Sequence, residues 1–174
     1  MKIIKTKFKD LLIFKSKNYK DKRGLLRELS MEKHLKKRLI FSLVSKSKKN
    51  VLRGLHMQRK NMQGKYLSVL KGRILDVVVD CRVKSKNFGK HFKIVLSEKN
   101  ATSIYIPPGF AHGFLTLDKE NIVLYSCTNY RNKESEVSIA WNDKDLKIKW
   151  PTKKPILSKK DSTNKSFREL NLNK

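Results

Sequence analysis

Four histidines, His34, His56, His91 and His112, supply the chain's most obvious means of moving protons near neutral pH. His34 and His91 sit among lysines and read as solvated side chains. His56 ends the segment Leu52-Arg53-Gly54-Leu55-His56, and His112 follows the rigid turn Pro107-Pro108-Gly109-Phe110-Ala111. A metal site in a β-barrel wants two histidines alternating on one strand plus a third His or a carboxylate. No His-x-His occurs, and Arg53 and Lys65 flank His56 with charge that repels a cation. Neither Cys81 nor Cys127 adjoins a histidine, and no glycine-rich phosphate loop is present. What remains is Arg53, His56, Lys65, His112 and nearby tyrosines. That set suits an anionic ligand and acid–base chemistry.

The elements that must hold these groups are mostly strands. Val51–His56, Tyr66–Leu70, Ile74–Asp80, Phe92–Leu96, Ser103–Ile106, Gly113–Leu117 and Ile122–Cys127 are short runs rich in branched side chains. Turn signals such as Lys71-Gly72, Asn87-Phe88-Gly89 and Pro107-Pro108-Gly109 separate them. Seven such strands at short intervals predict an all-β sandwich or barrel. Helical periodicity is weak, with Leu26–Leu39 the best helix candidate and Phe167–Leu172 a second. The 174 residues fit one domain spanning 1–174, with the Lys/Ser/Asn-rich part from about position 153 as an extension packing on the barrel.

Composition excludes several classes. Two cysteines rule out a disulfide framework and favour a cytoplasmic setting. No apolar run approaches the roughly 18 residues of a membrane span, and Met1–Lys5 lacks the apolar segment of a secretory signal. The 42 Lys+Arg against 15 Asp+Glu give a formal charge of +27, the footprint of a polyanionic partner. The lysines are nevertheless spread along the whole chain, and the aromatics fall mostly inside strands or motifs instead of forming exposed platforms. Nucleic acid is therefore not the expected partner, and most of the charge reads as solvated surface.

Nine motifs then occur in order with matching spacing. They begin with Asp21-x-Arg23-Gly24, Leu52-Arg53-Gly54-Leu55-His56-Met57-Gln58 and Gln63-Gly64-Lys65. Asp76-Val77-x-Val79-Asp80-x-Arg82 and Ile106-Pro107-Pro108-Gly109-Phe110-Ala111-His112-Gly113-Phe114 follow, then Tyr125, Trp141-Asn142-Asp143, Ile148-x-Trp150-Pro151 and Leu157-Ser158-x-Lys160-Asp161. Together they resemble the dTDP-4-dehydrorhamnose 3,5-epimerase family over nearly the whole chain. The resemblance implies a cupin jelly roll working without metal or cofactor, usually as a homodimer, on a nucleotide-diphosphate 4-keto-sugar.

A ketone at C4 acidifies the protons on C3 and C5, because the carbanion left behind is an enolate. Epimerisation needs a base on one face, a positive group near the enolate oxygen and an acid on the other face. By resemblance His56 is the base, Asp161 orients and stabilises its ring, Lys65 faces the enolate oxygen, and Tyr125 returns a proton. Tyr125 and Tyr130 are five apart, so only one enters the barrel from a regular strand; the spacing from His112 matches the family at Tyr125. His112 would line the sugar pocket, Arg23 and Arg53 would hold the diphosphate, and Glu28, Glu136 and Lys160 match further substrate contacts. Arg53 and His56, three apart, should face opposite ways on a regular strand. Either Gly54 marks an irregularity or Arg53 serves a neighbouring subunit's site.

Three departures bear on the substrate. Phe41 and Leu43 stand where the family carries a Gln-x-Asn that contacts the nucleotide, and Arg131 stands where an aromatic often follows Tyr130. The His56–Lys65 loop is one residue shorter than usual. These changes keep GDP-linked 4-keto-heptoses, C3-only epimerisation and a non-catalytic cupin that binds nucleotide or carbohydrate as alternatives to a dTDP-4-keto-6-deoxyhexose.

Overall fold

The strand Arg73–Asp80 (β8) shows why this sequence makes two packed sheets. In Arg73–Asp80 every residue after the first is buried, so both faces of the strand are covered. Ile74 and Val78 point into one apolar cluster and Leu75, Val77 and Val79 into another. A strand covered on both faces reads as a continuous apolar run, and Ile74-Leu75-Asp76-Val77-Val78-Val79 is one.

A computed structural model describes residues 1–30, 32–35 and 37–170. The chain begins with β1 (Lys2–Lys5), β2 (Leu12–Lys15), and the β3 (Tyr19–Asp21) and β4 (Gly24–Leu26) hairpin. After α1 (Glu32–Leu35) come β5 (Phe41–Lys48), β6 (Leu52–Gln58), β7 (Lys65–Lys71) and β8. Then follow β9 (His91–Ser97), β10 (Thr102–Ile106), β11 (Phe110–Thr116), β12 (Glu120–Cys127), β13 (Glu136–Ser138) and α2 (Lys159–Ser162). One sheet runs β1-β2-β10-β7-β12-β5 and the other β13-β6-β11-β8-β9, every pairing antiparallel. The fold is all-β, as the strand pattern predicts, and a cupin jelly roll, as the resemblance implies.

The inner faces enclose Phe8, Leu67, Val69, Ile104, Phe110, Phe114 and Val123. The outer face of the five-stranded sheet is covered by the C-terminal third, where Trp141, Trp150, Leu157, Phe167 and Leu170 pack on Leu52, Leu55, Met57 and Leu115. That packing matters for function, because it carries α2 to the mouth of the barrel. No helix among the described residues is long and apolar enough to cross a membrane.

Helices differ most from expectation. Leu26 belongs to β4, and only Glu32–Leu35 of the Leu26–Leu39 candidate is helical. Lys33 and Lys37 would repel across one turn of a longer helix, while Leu35 is drawn into a cluster with Phe14, Tyr66 and Tyr105; positions 31 and 36 lie outside the described residues. Of Phe167–Leu172, Arg168–Leu170 forms a single 3-10 turn, and 171–172 lie outside the described residues. His112 sits inside β11 and not behind a turn, since the strand starts at Phe110 directly after Pro107–Gly109.

Candidate active site

The placement of Arg53 and His56 depends on one extra residue. β11 pairs His112 with His56 and Phe114 with Arg53, so three steps along β6 match two along β11. This is a β-bulge, and it returns Arg53 and His56 to the same face. Gly54 permits it, with φ +118°, a region side chains disfavour. A Cβ there would lie 2.5 Å from the Gly113 Cα and 2.6 Å from the His112 carbonyl oxygen. Within one chain, therefore, Arg53 and His56 face one cavity, and the irregularity lies at Gly54.

That cavity holds about 330 Å³ and opens at one end of the barrel. β5 contributes Phe41 and Leu43, β6 Arg53 and His56, β7 Lys65, β12 Tyr125 and Cys127, β13 Glu136, and α2 Lys160 and Asp161. The register explains the grouping. Cys127 pairs with Phe41 on one side and Lys65 on the other, and Tyr125 pairs with Leu43 and Leu67. Tyr125 and Cys127 are two apart, hence on the same face. Tyr130 is 67% exposed, so Tyr125 is the tyrosine that enters.

His56 Nε2 and Asp161 Oδ1 are 2.6 Å apart, with the carboxylate almost fully buried. An ionised carboxylate only accepts, so Nε2 carries the hydrogen and Nδ1 keeps its lone pair. Asp161 is fixed in turn. Ser158 caps α2, and its hydroxyl accepts the Asp161 backbone N–H at 3.0 Å. Burial pushes the Asp161 carboxyl up, but the His56 ring and the Ser158 hydroxyl outweigh it and hold the group below the usual carboxylate range.

Two further groups face the cavity with perturbed acidity. Burial pushes the Lys65 ammonium down, and the negative charges of Glu136 and Asp76 offset this only in part. Burial pushes the Tyr125 phenol well up, against the opposing pull of the Arg53 charge. A phenol so placed stays protonated until a strong base forms beside it. The site thus pairs an oriented imidazole with a neutral acid and a cation, the equipment for moving a proton off and onto carbon.

At the mouth, Glu136 holds Lys160 at 2.5 Å and Arg131 at 2.9 Å. Burial pushes the Glu136 carboxyl up, but both cations outweigh it and keep it ionised. Arg53 donates from Nε to the Ser47 hydroxyl at 3.2 Å.

Three expected site residues are not on the cavity wall. His112 is buried and bonds Asp76 Oδ2 from Nε2 at 2.7 Å, with its ring edge-on to Tyr125 at 6.4 Å. It stands behind the acid as support. Arg23 lies on the exposed β3–β4 hairpin, paired with Asp21 at 2.6 Å, and Glu28 is exposed just after it. Conversely, Cys127, Gln63 and Ser158 line the cavity although the sequence assigned them no role there. Alternation from Tyr125 along β12 would have found Cys127; the Gln63 side chain, held by the Asn129 carbonyl at 2.8 Å, gives no such signal.

The family model described as dTDP-4-dehydrorhamnose 3,5-epimerase matches residues 5–169. The dTDP-4-dehydrorhamnose 3,5-epimerase of Salmonella typhimurium is 44% identical over 170 residues, covering 93% of each chain. The dTDP-6-deoxy-D-glucose-3,5-epimerase of Legionella pneumophila, solved in complex with dTDP-4-keto-L-rhamnose, superposes with a TM-score of 0.91 at 40% identity, covering 99% of this chain and 93% of that one. The Bacillus anthracis dTDP-4-dehydrorhamnose 3,5-epimerase, with TDP and PPi bound, gives 0.90 at 35% identity over 95% and 98%.

Proposed function

The chain belongs to the dTDP-4-dehydrorhamnose 3,5-epimerase family, its reaction is the 3,5-epimerisation of a dTDP-4-keto sugar, and we propose that His56, Lys65 and Tyr125 carry the proton transfers. The observation behind this reading is the His56–Asp161 pair at 2.6 Å, opening on a cavity that also holds Lys65 and Tyr125.

His56 Nδ1 takes the proton from C3, and the C–H electron pair flows into an enolate whose charge sits on the C4 oxygen. Asp161 stabilises the imidazolium this creates. The Lys65 ammonium faces the C4 oxygen, where an oriented charge in a partly dry site is worth several kcal/mol, roughly 10²–10³ in rate. The Tyr125 phenol gives its proton to the opposite face of C3 and recovers one from solvent, while the imidazolium releases its own. The same cycle at C5 completes the reaction, with no net gain or loss of atoms.

The substrate's diphosphate suits Arg53, whose guanidinium can bond two phosphate oxygens at once. Arg23 and Glu28 are too far out to serve this cavity. Their hairpin leaves Tyr19, Leu25 and Leu26 exposed, an apolar surface that water disfavours. The reading that accommodates both facts is a homodimer in which the hairpin reaches the partner's cavity mouth. Sedimentation should give twice the chain mass, and Arg23→Ala should raise KM more than it lowers kcat; a monomer of full activity would overturn the dimer.

Incubation with dTDP-4-keto-6-deoxyglucose in deuterated buffer tests the reaction itself. Deuterium should enter at both C3 and C5. Incorporation at neither carbon would refute it.

A further inference from the structure

The proton transfers occupy only the deep end of the cavity. Its open end is built differently. Phe41 and Leu43, alternating on β5, form one wall, and neither side chain can donate or accept a hydrogen bond. The Phe41 ring lies 6.1 Å from the Tyr130 ring at 54°, and Leu43 is 40% exposed, so the apolar wall continues out to the surface. Arg131 lines the same opening. The polar groups nearby each have a partner within the chain. Gln63 gives its amide N–H to the Asn129 carbonyl, and Glu136 is shared between Arg131 and Lys160.

A nucleotide-sugar with its hexose at His56 projects its base toward this opening. There it meets flat apolar surface and a planar guanidinium, both of which pack on the faces of a ring. It meets no side chain from β5 that could read the ring's edge. Resting on the epimerase reading above, we infer that this chain holds the base by its faces, between the Phe41–Leu43 wall and the Arg131 guanidinium. The β5 wall therefore distinguishes thymine from other pyrimidines only through the C5 methyl group.

The size of the expected effect separates this from edge recognition. One buried methyl is worth about fourfold in binding, the equivalent of ~0.8 kcal/mol. A site built to hydrogen-bond a substrate group rejects the analogue lacking it by roughly 10⁴–10⁵. Loss of a stacking partner weakens binding by about five- to 150-fold.

The test compares kcat/KM for the dTDP-, dUDP- and dCDP-linked forms of the same 4-keto-6-deoxyglucose, using the unmodified protein. Uracil should fall about fourfold below thymine, and cytosine within about tenfold of uracil, although its edge presents a donor where uracil presents an acceptor. A gap above about tenfold between uracil and cytosine would overturn the inference and leave the epimerase reading intact. No turnover of the dTDP sugar would sink both. Phe41→Ala should raise KM for all three substrates by the same factor, about five- to 150-fold; an unchanged KM in folded Phe41→Ala would also overturn it. If that variant does not fold, the nucleotide series decides alone.

Discussion

His56 and Asp161 stand 105 positions apart in sequence and 2.6 Å apart in space. The contact exists because the C-terminal third wraps the outer face of the five-stranded sheet and delivers a one-turn helix, capped by Ser158, to the barrel mouth.

The pair makes Asp161 a positioning residue with two readouts. Asp161→Asn keeps the shape and removes the charge that steadies the imidazolium, so kcat should fall about 10²–10⁴-fold. Its folded-state acidity is stronger than in the unfolded chain. The ionised form therefore contributes stability above about pH 4, and that contribution fades as pH falls through the depressed folded value. Denaturant titrations should show the unmodified protein losing more stability between pH 5 and pH 3 than Asp161→Asn does. Equal losses would mean that the pair does not hold in solution.

Lys65 should show the opposite balance between activity and stability. Burial lowers its folded pKa, so the unfolded chain binds the proton more tightly, and holding the ammonium costs stability below the unfolded-chain value. Lys65→Met should raise stability at pH 7 by about 0.5–2 kcal/mol while lowering kcat roughly 10²–10³-fold. The gain should shrink as pH rises from the depressed folded value of Lys65 toward the unfolded-chain value of about 10.4. Thermal melts at pH 7 and pH 10 measure both.

Gly54 should tolerate no side chain. Its φ of +118° alone costs a substituted residue about 1–3 kcal/mol, and the new Cβ would press on Gly113 backbone only 2.5 Å away. Gly54→Ala should lower the melting temperature and, in whatever fraction folds, flatten the bulge and separate Arg53 from His56. A variant with unchanged stability and KM would remove the bulge from the explanation of the site.

Much of the jelly roll is legible in the sequence, because strands such as β8, β10 and β12 are apolar runs between unambiguous turns. β1 and β2 are not, since Lys2-Ile3-Ile4-Lys5 and Leu12-Ile13-Phe14-Lys15 are too short for alternation to stand out among so many lysines. The site divides in the same way. His56, Lys65 and Tyr125 sit at ends or inward positions of readable strands. The bulge reads out only as one of two alternatives for Arg53, because Gly54 says nothing of its partner strand until Gly113 is seen against it. Asp161 is equally silent on its own, a carboxylate in a polar segment whose destination only the packed C-terminal third reveals. The +27 charge, prominent in composition, shrinks in the site to Arg53, Lys65, Arg131 and Lys160.

The central claim is that His56 removes the proton from carbon, and isotope exchange in a single variant tests it most directly. His56→Ala, folded and still binding dTDP, is incubated with the 4-keto sugar in deuterated buffer, and C3 and C5 are followed by NMR. Deuterium uptake should fall by at least about 10²-fold at both carbons. Uptake at either carbon near the rate of the unmodified protein would contradict the assignment and require another base.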